Sequence, residues 1–259
     1  MPNSHHTRHE SPVERRRRLH RQRILRNRFL FGAACLLLVL GVASLFRTTV
    51  DEPPAVPAVP PAEAAAQVNT HDERLILVNN NLPLPEGYAV ETEVADDNTG
   101  KELQKDAAQA YRQMTEAARA EDVELMLCSG YRTVEYQQEL FDKKKQKYLD
   151  KGDSEEEAFE KARTVVALPG CSEHNTGLAA DIVTPDHQDL DTAFERTDAF
   201  KWMDAHAAEY GFILRYPEDK QAITGIIYEP WHYRYVGAEN AAAMKASGLC
   251  LEEVYGLAG

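Results

Sequence analysis

Two imidazoles and two carboxylates in the second half of the chain have the types and spacing of a metal-dependent hydrolytic centre. His174 and Asp181 stand seven positions apart in Ser172-Glu-His-Asn-Thr-Gly-Leu-Ala-Ala-Asp181, with Gly177 between them. A loop that turns at Gly177 and runs into a short apolar strand can bring both side chains to one point. An imidazole with a carboxylate suits a borderline metal such as zinc, but two ligands do not make a site. The third ligand is expected at His232, in Tyr228-Glu-Pro-Trp-His-Tyr-Arg-Tyr-Val-Gly237. Three positions before it stands Glu229, a carboxylate able to take a proton from water at the metal. Three protein ligands, an open coordination position and a nearby base are the parts of a hydrolase.

Several elements must position these groups. Leu75–Asn79 reads as a short strand, followed by a Pro-punctuated loop to Gly87. Lys101–Arg119 reads as an amphipathic helix, because Leu103, Ala107, Tyr111, Met114 and Ala118 recur at three- and four-residue steps. Val123–Cys128 alternates as a strand and delivers Ser129-Gly-Tyr-Arg-Thr133 at its end, with Thr133 capping the helix through Tyr136 and Leu140. Ser154 and Glu157 form a capping pattern for a second helix reaching about Val166. The Lys/Glu-rich run between Lys143 and Lys161 is expected to be the solvated face of this helical pair. Ala180–Val183 is a strand; Phe200, Met203, Ala207 and Tyr210 mark a helix stopped by Gly211. Phe212–Leu214, Gly225–Tyr228 and Trp231–Val236 are further strands, the last carrying the third ligand. Helices grouped before and between short strands predict an α+β fold with a mostly antiparallel sheet and flanking helices around a single metal site.

Charge divides the chain. Residues 1–50 hold ten Lys/Arg and two Asp/Glu, whereas residues 51–259 hold nineteen and forty, a body of net charge −21. An acidic body argues against nucleic acid as a partner, since phosphate attraction needs clustered Lys/Arg. Residues 1–28 form a basic tail, including Arg15-Arg16-Arg17-Arg18, and Phe29–Phe46 is an uncharged apolar run. That run is just long enough to cross the ~30 Å hydrocarbon core as one transmembrane helix. With the Arg-rich flank cytoplasmic, the body is expected outside the cell membrane, and a cleaved signal peptide is the rival reading of the same run. Residues 47–70 are Pro/Ala-rich and are expected to form a stalk, with the folded domain over 71–259. Cys128, Cys171 and Cys250 lie in the body without a Cys-x-x-Cys motif, and no pair is assigned.

Ser-Gly-Tyr-Arg (129–132), Ser-Glu-His-x-x-Gly-x-Ala-x-Asp (172–181) and Glu-Pro-Trp-His-Tyr-Arg-Tyr-Val-Gly (229–237) together resemble the VanY-type D-alanyl-D-alanine carboxypeptidases, zinc peptidases of the M15 group. Gly-Phe-Ile-Leu-Arg-Tyr-Pro (211–217) and Leu-Val-Asn (77–79) extend the resemblance from about Leu75 to the C-terminus. The resemblance implies one zinc ion per chain held by His174, Asp181 and His232, with Glu229 as catalytic base and Arg132 as a contact to substrate or transition state. It implies removal of the C-terminal D-alanine from peptidoglycan stem peptides. L,D-carboxypeptidase action on tetrapeptides, D-Ala-D-Ala dipeptidase action and a non-catalytic wall-binding module are the alternatives. The Arg132 guanidinium suits either the oxyanion or the substrate's terminal carboxylate. Ser172 stands either to contact substrate or to cap its loop, and Gln137, one turn after Arg132, either to face the pocket or to be solvated. Tyr131, Trp231 and Tyr233 are expected in pocket wall and core. His187 and His206 lie outside every motif and are read as surface residues.

Overall fold

The computed structural model describes residues 61–257; the basic tail, the apolar run 29–46 and most of the Pro/Ala-rich segment lie outside them. No helix among the described residues is long and apolar enough to cross a membrane. The first of them already belong to the fold. Pro61–Ala65 is a short helix (α1) with Ala64 buried, and the Asn69 amide donates to Asn240 Oδ1 at 2.9 Å. The stalk reading of 47–70 therefore gives way from Pro61 onward, because alanines small enough to pack closely are covered by a C-terminal helix.

Thr92–Asp96 (β1) and Lys101–Gln104 (β2) pair antiparallel as a hairpin. The helix expected from Lys101 starts only at Lys105 and runs to Ala120 (α2), with the Gln104 side chain accepting from the Asp106 and Ala107 amides. Leu103 fits the helical spacing yet enters the core from the strand. Met126–Ser129 (β3) leads into Val134–Leu149 (α3), capped by Thr133 Oγ1 as anticipated. Glu155–Arg163 (α4) opens with the Ser154/Glu157 capping box. Ala179–Val183 (β4) follows, then Asp198–His206 (α5), prolonged by a 3-10 turn to Tyr210 and closed by Gly211 at φ 85°. Phe212–Leu214 (β5), the short helix Gln221–Thr224 (α6), His232–Tyr235 (β6), Ala238–Ser247 (α7) and Leu251–Val254 (α8) complete the chain.

The central sheet has the order β3-β4-β6-β5, with every neighbour antiparallel. All five residues of β4 are buried, so both faces of the sheet are covered at its centre. The main core packs Leu103, Tyr111, Met114, Leu127, Ile182, Phe194, Met203 and Phe212 against it. Two expected strands are absent. Residues 73–79 hold a 3-10 turn, Glu73–Leu75, and an isolated Asn79–Leu82 bridge; residues 225–228 form a loop. Both are apolar runs that pack without strand partners: Leu75 is fully buried, and the Ile227 amide donates to the Thr164 carbonyl. Cys128, Cys171 and Cys250 are all free thiols. Burial pushes the Cys128 thiol up to about 12 and that of Cys250 to about 11, so neither carries a reactive thiolate near neutrality.

Candidate metal centre

Strand register sets the heart of the site. Asp181 in β4 is paired with His232 in β6 on one side and with Ser129 in β3 on the other. Directly opposed residues project to one face with their Cβ atoms about 5 Å apart, so this register alone delivers the aspartate beside the histidine. His174 arrives from the 3-10 turn Glu173–Thr176, which Gly177 ends at φ 73°. That left-handed position suits glycine, and a Cβ there would also crowd the Gln104 amide nitrogen at 3.0 Å.

His174 Nδ1 lies 2.7 Å from the Gly130 carbonyl oxygen. A carbonyl only accepts, so Nδ1 carries the proton and Nε2 presents its lone pair 3.3 Å from Asp181 Oδ1. His232 turns Nδ1 toward the same oxygen at 3.1 Å, and its Nε2 faces Glu173 Oε2 at 3.8 Å. The two rings stand edge to face, 5.0 Å between centroids. One nitrogen from each histidine and one aspartate oxygen thus converge within 4.8 Å, all three residues buried. A tetrahedral zinc with bonds of about 2.1 Å separates its ligand atoms by roughly 3.4 Å. The observed spacings of 3.3 and 3.1 Å fit that ion.

Electrostatics follow from burial and neighbours. Burial and the Arg132 charge push His174 down to about 4, which keeps it a neutral donor. Burial would raise Asp181, but His174 and Arg132 outweigh it and hold the carboxylate well below its usual range. Burial likewise works against a charged His232, yet Asp181 and Glu173 lift it to about 9. Glu229 is buried with Oε2 3.7 Å from His232 Nδ1, outside the three-ligand set. Burial chiefly raises it to about 8.

Arg132 reaches into the centre from the loop after β3. Its Nη2 donates to Asp181 Oδ2 at 2.5 Å, its Nε to Ser129 Oγ at 2.9 Å and its Nη1 to Gln137 Oε1 at 3.4 Å. The carboxylate oxygen not facing the histidines is thereby occupied. Gln137 is only 1% exposed and lines the cleft, its Nε2 donating to the Ala167 carbonyl; the solvated reading does not hold for it. Ser172 Oγ accepts from the His174 amide at 3.3 Å and also borders the cleft, so it caps its turn beside the ligand. Trp231 forms cleft wall, Tyr233 is buried in the core, and Tyr131 binds the Glu102 carbonyl through its amide. His187 and His206 belong to neither the cluster nor the cleft and pair with Asp191 and Glu209.

Glu173, Arg215, Arg234 and Glu252 were not singled out from the sequence. Arg215 Nε meets Glu173 Oε1 at 2.7 Å, and its other nitrogens hold Glu252 at 2.8 and 2.7 Å. Arg234 Nη1 lies 2.9 Å from Glu173 Oε1, while its Nη2 donates to the Arg74 and Ile76 carbonyls. Burial would raise Glu173, but the two arginines hold it well below the ordinary carboxylate value. Only Arg234 lies in a strand; Glu173 sits in a 3-10 turn, Arg215 just after β5 and Glu252 in α8, so no local pattern joins them. The basic run also divides: Lys145 and Lys161 pair with Glu155 and Asp153, but Lys143, Lys144 and Lys147 line the cleft.

A two-histidine, one-aspartate centre on an antiparallel sheet, with a buried glutamate beside it, defines a metallohydrolase of the zinc type. The family model described as VanY, D-alanyl-D-alanine carboxypeptidase, matches residues 100–238, and the chain belongs to that family. It is 41% identical over 192 residues to a D-alanyl-D-alanine carboxypeptidase of Enterococcus faecalis, covering 74% of this chain and 69% of that protein. A solved structure of VanYB in complex with D-alanine-D-alanine matches with TM-score 0.64 at 42% identity, over 71% of this chain and 97% of that one. A variant of the vancomycin-resistance D,D-pentapeptidase VanY in complex with Zn(II) matches with TM-score 0.63 at 42% identity, over 70% and 98%.

Proposed function

We infer that this chain is a zinc D,D-carboxypeptidase that removes the C-terminal D-alanine from peptidoglycan stem peptides. The observation that carries the reading is Glu229: a buried carboxylate that faces the three-ligand cluster without belonging to it. A wall-binding module needs no such group. His174, Asp181 and His232 would hold one zinc ion. Zinc, when bound, supplies a Lewis acid that acidifies water and polarises the peptide carbonyl, and its charge opposes the burial that raises Glu229. Ionised Glu229 accepts the proton of the attacking water and returns it to the departing D-alanine amine. Arg132 keeps Asp181 oriented through Oδ2 and leaves part of its guanidinium at the cleft, where developing or resident negative charge on the substrate meets it.

The reading extends to location. The Arg-rich residues 1–28 before the uncharged run Phe29–Phe46 support a single-pass anchor, with the catalytic body outside the cytoplasmic membrane. Fractionation with protease accessibility tests this: a body digested from outside intact cells supports it, and a soluble cytosolic chain overturns it.

For activity, the zinc-loaded protein is incubated with a stem pentapeptide ending in D-Ala-D-Ala and, separately, with the tetrapeptide, and products are weighed. Loss of one alanine from the pentapeptide, abolished by chelator, is expected. Cleavage of the tetrapeptide alone moves the assignment to an L,D-carboxypeptidase, and release of D-Ala-D-Ala to a dipeptidase. Zinc binding with neither peptide cut leaves a binding role.

A further inference from the structure

Helix α3 follows the Thr133 cap next to Arg132 and lines one wall of a cleft of about 520 Å³ that also takes in His174, Asp181 and His232. Its cleft-facing residues change character along the way, from Gln137 and Leu140 to Lys143, Lys144 and Lys147. No ion pair engages these three lysines among the described residues, whereas Lys145, on the same helix, is paired with Glu155 at 2.8 Å. In a body of net charge −21, three adjoining cations with no carboxylate within ion-pair distance line this one wall. Lys144 is half-buried; desolvation and the neighbouring Lys147 both disfavour its charge, while Glu229 favours it. An ammonium held there at a desolvation cost, against a like charge, is a site for an anion that arrives with a ligand.

We propose that Lys144 and Lys147, flanked by Lys143, bind a free carboxylate carried by the substrate peptide upstream of the cleaved bond. The protein would thereby select acidic stem peptides over amidated ones. The proposal rests on the carboxypeptidase reading for the identity of the peptide. Its geometry is independent of that reading. At 1.5 Å rise per residue, Lys144 and Lys147 lie roughly 10 and 15 Å along the helix from Gln137. An extended peptide that follows this wall away from Gln137 advances about 3.3 Å per residue, so it passes beside the cations within a few residues of the reacting bond. The terminal carboxylate that every carboxypeptidase substrate has lies one residue beyond that bond, and because both test peptides carry it, it cannot produce a difference between them.

The test uses two peptides with the same D-Ala-D-Ala end, carrying either a free carboxylate or a carboxamide on the third residue before the cleaved bond. Dissociation constants are measured on the zinc-loaded full chain bearing Glu229→Gln, and kcat/KM on the chain with Glu229 intact. The acidic peptide is expected to bind about tenfold tighter, as a charge-assisted hydrogen bond implies, with a preference that weakens in salt. In Lys144→Gln/Lys147→Gln the ratio between the two peptides should collapse toward one, and in Lys144→Arg/Lys147→Arg it should persist. Equal loss on both peptides would assign the lysines to the terminal carboxylate and overturn the proposal, as would an unchanged ratio. If neither peptide is cut but the binding ratio responds to the lysines, the carboxylate site stands and the carboxypeptidase reading fails.

Discussion

Glu229 is where the buried chemistry can be tested one atom at a time. Replacing it with Gln keeps shape and removes the base, so kcat should fall about 10²- to 10⁴-fold. Zinc content, measured by mass spectrometry of the metal, should stay at one per chain because Glu229 is outside the ligand set. The pH profile has a definite sign. A base raised to about 8 by burial is protonated at low pH, so kcat/KM should rise with pH along a limb centred at or below that value. Zinc loss along with activity in Glu229→Gln would make it a ligand instead. Glu173 makes a second residue-scale case. Glu173→Gln leaves Arg234 buried with only backbone partners for its guanidinium, a change that should cost about 3–5 kcal/mol in urea unfolding. The folded carboxyl sits below its ordinary value of 4.5, so its contribution is present above that pH and lost as pH falls through and below it. The gap between wild type and variant should therefore narrow on acidification; a gap that widens would remove Glu173 from the ion cluster. His174, Asp181 and His232, which the structure brings together, were legible because they fall in motifs that resemble those of a zinc-peptidase family. Glu173 was not, because its partners lie 42 and more positions away in sequence, and nothing local marks an arginine that is buried.

At the scale of elements, the site depends on two turns meeting one sheet. The strands that carry Asp181 and His232 were readable as short, mostly apolar runs, and the caps at Thr133 and Ser154 from their side-chain chemistry. The β1–β2 hairpin was not readable. Lys101–Gln104 shares its apolar spacing with the helix it precedes, and only pairing with residues 92–96 makes it a strand. That hairpin reaches the metal centre through Gly130. The Tyr131 amide donates to the Glu102 carbonyl at 2.7 Å, and a Cβ at Gly130 would run into the same carbonyl oxygen. Gly130→Ala must push β2 away or displace the loop whose carbonyl fixes the His174 tautomer. The expected result is a loss of about 2 kcal/mol or more in stability. Weaker zinc binding by competition with a chromophoric chelator should accompany it, since outer partners of a ligating histidine typically tune affinity tenfold or more. Unchanged affinity with lowered stability would restrict Gly130 to packing.

Across the whole molecule, the centre is tied to both ends of the described chain. Glu252 in α8 binds Arg215 through both carboxylate oxygens, and its Oε1 also accepts from Asn79 Nδ2 at 3.3 Å. Arg215 holds Glu173, and Glu173 faces His232. The C-terminal helix is thus linked to a metal ligand through a run of buried charges. Glu252→Ala removes one carboxylate from Arg215 but leaves the other, so Arg215 is left half-compensated in a fully buried position. Unpairing a buried charge costs about 3–5 kcal/mol, which in a domain of this size corresponds to a melting shift on the order of 10 °C. Zinc binds only the folded state and should raise the melting temperature of both proteins. The zinc-induced rise should shrink more in Glu173→Gln than in Glu252→Ala, because Glu252 reaches His232 only through two intermediates. Differential scanning calorimetry with and without zinc measures both quantities. Equal shrinkage would mean that the charges act as one rigid unit, and a melting temperature unmoved by Glu252→Ala would take the C-terminal helix out of the cooperative fold.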